Sequence, residues 1–160
     1  MKFKIGIGYD VHKLTENRKL VIGGVEIEGA EFGAVGHSDA DCLIHAIIDS
    51  LLGAANLRDI GFQYPDNDTK YKDIDSKQLL QDTLKKIREK GYIIENIDSI
   101  ICLQKPKISK FIPEMQYILS NILELDAEYI TIKATTTENL GFVGRTEGIS
   151  AYSVCLLKKE

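Results

Sequence analysis

Apolar side chains alternate at the start of the chain. In FKIGIGYDVH, Phe3, Ile5 and Ile7 share one side at period two, which predicts a first strand. LVIGGVEI over 20–27 predicts two further short strands around Gly23 and Gly24. The period then changes. Leu43, Ile44, Ile47, Ile48, Leu51, Leu52 and Ala55 recur at helical spacing, so a helix is predicted from Ser38 to about Ala55, with Ser38 or Asp39 as its N-cap.

The segment from Arg58 to Asp75 contains RDIG and YPDND and has no periodicity, which predicts a long polar loop of the kind that serves as a lid. A second helix is predicted from Ser76, with Leu79, Leu80, Leu84 and Ile87 on one stripe, ending at Gly91 where a left-handed residue is easily accommodated. A strand over 97–103, a helix over 110–123 through Ile112, Met115, Ile118, Leu119 and Ile122, a strand over 129–135 and a last strand from Ile149 to Leu157 complete the pattern. Strands alternating with helices predict one α+β domain over residues 1–160, a two-layer α/β arrangement with a mixed β-sheet and helices on one face. The bare face then needs cover, which an oligomer would supply.

Composition narrows the classes. A chain of 160 residues, 44% of them hydrophobic, can bury a core without disulfides or a structural metal. The opening MKFKIGIGYD lacks the basic start and long apolar run of a signal peptide, and no stretch is long enough to cross a bilayer, so a soluble cytoplasmic protein is expected. Cys42, Cys102 and Cys155 form no CxxC pair and sit in apolar runs, as reduced core residues do. With 20 Lys and Arg against 24 Asp and Glu, the net charge of −4 gives no general attraction for nucleic acid. An anionic ligand would need local cations, for which Lys105, Lys107, Lys133 and Arg145 are candidates.

Asp10 and His12 fall on one side of the first strand at its carboxyl end, where both can reach one ion. Alone, Asp-x-His is as readily a capped turn beside a surface histidine. His45 lies at the polar edge of the helical stripe, with Asp41 one turn before it and Asp49 one turn after it, either placed to bond the free ring nitrogen of a metal-bound imidazole or simply to salt-bridge a partly buried histidine. Two histidines and a carboxylate with an open fourth position are the ligand set of a catalytic zinc, and equally of non-haem iron. His37 and Ser38 precede the first helical turn, where unpaired N–H groups attract anions, although Ser38 also suits a plain N-cap. KATTTENLGFVGR brings together three hydroxyls, Glu138, two glycines and Arg145, a set able to bind phosphate and a divalent cation and also readable as a threonine-rich strand end with a glycine turn.

GYDVH, HSDADCLIHAIIDSLLGAANLRDIG and KATTTENLGFVGRTEGIS, in that order and spacing, closely resemble the 2-C-methyl-D-erythritol 2,4-cyclodiphosphate synthase family over nearly the whole chain. The resemblance implies an isoprenoid-pathway enzyme of the non-mevalonate route. It would convert 4-diphosphocytidyl-2-C-methyl-D-erythritol 2-phosphate to the cyclic diphosphate with release of CMP. It implies Zn2+ on Asp10, His12 and His45, a second ion, Mg2+ or Mn2+, on Glu138, and phosphate and transition-state contacts at His37, Ser38 and Thr136, of which His37 and Thr136 are the catalytic pair. The implied substrate-binding residues are Asp10, Val11, His12, His37, Ser38, Asp59, Ile60, Gly61, Tyr64, Pro65, Asp66, Asn67 and Asp68. Leu103, Gln104, Lys105, Pro106, Lys107, Ile108, Ser109, Thr135, Thr136, Thr137, Glu138, Phe142 and Arg145 complete that set. The family forms homotrimers with sites between neighbouring subunits and sheet faces packed together, and neither nucleic acid nor membrane is implied as a partner.

Two departures from the family pattern fall in the predicted loop: Arg58 stands where glycine is usual, and YPDND replaces FPDTD. Nothing at the C-terminus points to a fused cytidylyltransferase. Two rival readings use the same residues. An iron-dependent oxygenase would share the ligand triad but give no role to the hydroxyl-rich segment or Glu138. A trimeric nucleotide- or isoprenoid-phosphate-binding protein with a structural metal would leave the open coordination position without a purpose.

Overall fold

Two glycines set how closely the layers of this fold approach. In β1 (Phe3–Glu16), a Cβ on Gly6 would lie 2.0 Å from the Ser50 carbonyl oxygen, and one on Gly8 would lie 2.0 Å from that of Ala46. Only bare backbone there lets α1 (Cys42–Ala54) settle onto the strand. The helix is buried on nearly every side, with Leu43, Ile44, Ile47, Ile48, Leu51 and Leu52 fully inside. Each such side chain contributes roughly 1.5–3 kcal/mol by leaving water.

The computed structural model describes residues 2–36, 38–71 and 73–160. After β1 come a two-stranded hairpin, β2 (Val21–Ile22) and β3 (Val25–Glu26), then β4 (Phe32–Val35), α1, α2 (Ile60–Gln63) and α3 (Ser76–Glu89). β5 (Tyr92–Cys102), α4 (Ile112–Leu123), β6 (Ile130–Thr135), α5 (Gly141–Gly144) and β7 (Gly148–Lys159) follow. The main sheet runs β4-β1-β7-β5-β6, with β5 and β6 parallel and every other pair antiparallel. This is the mixed two-layer α+β fold expected, with the helices on one face.

Several boundaries differ from the sequence reading. The N-cap of α1 is Asp41, whose carboxylate accepts from Ile44 N and also from Gly23 N and Gly24 N at 2.9 and 2.7 Å. Capping there ties the hairpin turn to the helix, and Ser38 and Asp39 are left outside it. β5 starts at Tyr92 rather than near 97, because it pairs along most of β7 with a bulge between Ile94 and Asn96. The short β4, α2 and α5 carry too few residues to show a period. Cys42 and Cys155 are buried and Cys102 is half-buried, all three as free thiols.

The opposite face of the sheet is bare in the single chain. Phe3, Ile5, Ile7, Tyr9 and Val11 of β1, with Tyr152 and Val154 of β7, are between 43% and 76% exposed. They form one apolar patch, and the Tyr9 and Tyr152 rings lie 4.7 Å apart within it. Patches of this kind mark an interaction surface. Its β5 and β6 side is polar, with Lys133 and Asp98 paired at 2.7 Å.

Replacing Gly8 by alanine should destabilise the fold by about 1–3 kcal/mol, since a methyl group must push the α1 backbone off the sheet. Urea unfolding of Gly8→Ala against the parent chain measures this, and an unchanged midpoint would show that the helix does not rest on that strand as described.

Candidate active site

The inward side of β1 carries Gly6, Gly8, Asp10 and His12 in turn, so the two residues beyond the glycines face the helix that the glycines admit. His45 of α1 meets them, 7% exposed. Asp10 Oδ2 lies 2.8 Å from His12 Nε2 and 3.3 Å from His45 Nδ1, and the two ring nitrogens are 3.2 Å apart.

The outer nitrogens decide the tautomers. His12 Nδ1 faces the Val35 carbonyl at 3.1 Å, which only accepts, so the proton of a neutral ring sits on Nδ1 and leaves Nε2 bare. His45 Nε2 lies 2.8 Å from Ser76 Oγ. The single hydroxyl proton of Ser76 is donated to Asp39, so Ser76 accepts from His45 and Nδ1 is left bare. Three lone-pair donors therefore converge within 4.8 Å of one another, and the buried Asp10 Oδ2 has no aligned hydrogen-bond donor. Such a set calls for a cation, and these three residues fit a metal ion with an open position.

Without an ion, a proton takes its place. Burial opposes charge on both His12 and Asp10, but their pairing prevails: it raises the His12 pKa above the ordinary imidazole value and holds the Asp10 carboxyl well below the usual carboxylate range.

A cavity of about 290 Å³ opens beside the triad, lined by Asp10, His12, Gly36, Ser38, His45, Ile60, Gly61, Tyr64, Asp66, Tyr71, Ile74 and Leu79. A second, of about 180 Å³, is lined by Leu103, Gln104, Pro106, Lys107, Ile108, Ser109, Ala134, Thr135 and Thr136. Both sit at one end of the sheet, since Asp10, Ala151, Ile101 and Ala134 are in register across β1, β7, β5 and β6. Three strand spacings, about 14 Å, separate β1 beside the first cavity from β6 beside the second within one chain.

The candidate residues thus divide. Asp10, His12, Ser38, Ile60, Gly61, Tyr64 and Asp66 reach the first cavity, and Leu103, Gln104, Pro106, Lys107, Ile108, Ser109, Thr135 and Thr136 the second. Val11 points to the bare sheet face instead, 45% exposed, as strand alternation requires. Asp59 caps α2 and Asp68 caps the short turn after it, by accepting from Phe62 N and Lys70 N. Pro65 and Asn67 line neither cavity. Glu138, exposed and with φ at 53°, accepts from the Thr136 hydroxyl at 3.3 Å, while Thr137 donates to the Leu140 carbonyl. Gln104 holds this turn through Asn139 at 3.1 Å.

Three candidate cations are already paired, Lys105 with Glu31, Lys133 with Asp98 and Arg145 with Glu147, and Phe142 packs on Gly148. His37 lies outside the described residues.

The neighbours expected for His45 are also corrected. Asp41 is spent on capping and Asp49 accepts from Ile60 N at 3.1 Å, so neither holds the imidazole. Ser76 and Asp39 do. No local pattern marks Ser76, which reads as an ordinary helix start, and contact across 31 residues is a tertiary fact. Gly36, Tyr71, Ile74 and Leu79 were likewise not singled out as cavity walls.

The chain matches the YgbB family model over residues 3–158. It belongs to the YgbB family. Among curated relatives of this family member, the 2-C-methyl-D-erythritol 2,4-cyclodiphosphate synthase of Clostridium acetobutylicum is 60% identical over 154 residues, 96% of this chain and 99% of that one. The synthase of Bacteroides fragilis is 56% identical over 159 residues, 99% of each chain. Among solved structures, IspF of Plasmodium falciparum in complex with CDP superposes with a TM-score of 0.87 at 34% identity, covering 99% of this chain and 97% of that one. The bifunctional IspDF of Campylobacter jejuni superposes with a TM-score of 0.94 at 44% identity, and the YgbB-family chain, 99% covered, spans 42% of its length.

Because a metal must displace a proton from His12, apparent affinity for Zn2+ or Co2+ should fall as pH drops through the His12 pKa, beginning above the pH at which a free imidazole titrates. Below that point the loss should be about tenfold per pH unit for one displaced proton, with a plateau above it. Chelator-competition titrations across pH measure this, and a flat profile would remove His12 from the ligand set.

Proposed function

We propose that this YgbB-family chain converts 4-diphosphocytidyl-2-C-methyl-D-erythritol 2-phosphate to 2-C-methyl-D-erythritol 2,4-cyclodiphosphate and CMP, in the non-mevalonate route to isoprenoid precursors. One observation carries the reading beyond kinship. The ligand atoms of Asp10, His12 and His45 converge within 4.8 Å of one another at the wall of a cavity large enough for a phosphorylated sugar. Relatives bearing the synthase name, and similar structures described with CDP, support the cytidine-linked substrate.

In the proposed reaction the substrate's 2-phosphate oxygen bonds to the phosphorus farther from cytidine, the bond from that phosphorus to the CMP oxygen breaks, and CMP leaves. This is the chemistry of a phosphorus–oxygen lyase, and no side-chain nucleophile is required. A Zn2+ ion on Asp10, His12 and His45 and a Mg2+ or Mn2+ ion on Glu138 would supply charge neutralisation and polarisation of the phosphates. The chain's own residues fold the substrate. Ser38 offers a hydroxyl at the cavity wall beside His45, Thr136 offers another at the second cavity, and His37 is the proposed further phosphate contact. Ile60, Tyr64, Tyr71, Ile74 and Leu79 form an apolar wall that limits water near the sugar. Reacting ends held in one molecule reach effective molarities of about 10⁵ M or more when well oriented, so positioning can supply much of the rate.

The residues assigned to one substrate line two separate cavities in one chain, one beside β1 and the other beside β6. The proposal therefore includes a homotrimer in which the first cavity of one subunit meets the second of its neighbour, with the bare apolar sheet faces packed at the centre. Cytoplasmic localisation is part of the same proposal. No helix among the described residues is long and apolar enough to cross a membrane.

Incubated with the cytidine diphosphate substrate in ¹⁸O-labelled water, the protein should release CMP and a cyclic product, both unlabelled. Label in a linear phosphate product would show hydrolysis and end the cyclase reading. Glu138→Gln should lower turnover at limiting Mg2+ by at least about tenfold while changing stability by no more than about 0.5 kcal/mol, because the carboxylate is exposed and its contact with the Thr136 hydroxyl is a surface hydrogen bond that an amide oxygen can also accept. Rates across a Mg2+ series and thermal melts check this, and an unchanged rate at limiting Mg2+ would remove Glu138 from the cation site.

A further inference from the structure

We propose that Ser76 and Asp39 are positioning residues that fix His45 as a metal ligand, so that Ser38 is free to turn toward the substrate. The inference rests on the proposed metal site and extends it. His45 Nε2 has two hydroxyls in reach, Ser76 Oγ at 2.8 Å and Ser38 Oγ at 3.1 Å, but a neutral ring has only one proton there to donate. The two serines are not equivalent. Ser76 is fully buried, and its hydroxyl donates to Asp39, which polarises the oxygen as an acceptor. Ser38 is half-exposed at the cavity wall, and among the described residues its other bond is a long one from Ala40 N at 3.4 Å.

The carboxylate behind Ser76 is itself held. Asp39 accepts from Ser76 N at 2.9 Å and from Asp41 N at 3.2 Å, and its own N–H donates to the Ile74 carbonyl. Asp39, Ser76 and His45 therefore form a carboxylate–hydroxyl–imidazole chain. It aims Nδ1 at Asp10 and His12 whether or not Ser38 takes part. With that chain intact, Ser38 can exchange its contact to His45 for a phosphate oxygen without loosening the ligand. The chain also begins where the loop over residues 58–75 ends, so the loop's anchor and the metal ligand share one support.

The test uses full-length protein without substrate, which separates it from the cyclase reading. Zn2+ dissociation constants are measured by chelator competition for Ser76→Ala, Asp39→Asn, Ser38→Ala and Ser76→Thr, with Ser50→Ala as a buried-serine control away from the metal. Ser76→Ala should weaken Zn2+ binding about 10- to 100-fold, Asp39→Asn should weaken it less, and Ser76→Thr should restore it. Ser38→Ala and Ser50→Ala should stay within about threefold of the parent. ¹⁵N spectra of metal-free protein should show His45 as the Nε2–H tautomer in the parent and as a mixture in Ser76→Ala, a change that general loosening of the fold does not produce. Parent-like Zn2+ affinity and tautomer in a folded Ser76→Ala protein would overturn the proposal, as would equal losses from Ser38→Ala. CMP release by the parent protein tests the cyclase reading separately.

Discussion

The close contact of α1 with β1 is the constraint on which the site depends. Gly6 and Gly8 leave no side chain between strand and helix, and Ser50 and Ala46 present backbone directly above them. The next two inward positions on the strand are Asp10 and His12, and the residue before Ala46 on the helix is His45. Backbone contact therefore continues, one step along the strand, into ligand contact. A bulkier strand would hold the helix off and move the His45 ring away from its partners, so the glycines act on chemistry while remaining far from any reacting atom.

The same contact explains why a charged, proton-poor cluster is tolerated in a well-packed region. Burial alone disfavours charge on Asp10 and His12, and in the metal-free chain their pairing outweighs that penalty. The outer ring nitrogens are fixed by Val35 and Ser76, so the inner lone pairs cannot turn away to find other partners. A site held in this way is oriented to present all three lone pairs to one ion at once.

Much of this was legible in the sequence because it is local. Period-two alternation places Asp10 and His12 together, helical spacing puts His45 on one amphipathic helix, and three long motifs carry the family resemblance. What was not legible is tertiary. Asp41 and Asp49 lie one turn from His45 along the helix and looked like its partners, yet Asp41 is drawn to the hairpin glycines and Asp49 to Ile60. The true partner, Ser76, sits on another helix. Val11 and the ion-paired cations show the complementary limit: a residue can fall inside a motif while its side chain points to another face or is held by a neighbouring acid.

The loop over residues 58–75 illustrates how side chains override a composition-based reading. Its polarity and lack of period suggest a free lid, but it is pinned at both ends. Ile60 N bonds Asp49, and Tyr64 is 4% exposed with its hydroxyl 2.9 Å from both Asp82 and Thr83 on α3. At the far end Ile74 O accepts from Asp39 N. Arg58 begins the segment with φ at 66°, a left-handed conformation that costs a non-glycine residue roughly 1 kcal/mol or more, and its guanidinium stacks 3.9 Å over the Phe62 ring. That cation–π contact offsets about 0.5–1 kcal/mol at an exposed site, so the left-handed arginine is accommodated at little net cost. The stretch between Tyr64 and Ile74 contributes Asp66 and Tyr71 to the cavity, and the hydrogen bonds at either side of it tie the cavity wall to α1 and α3.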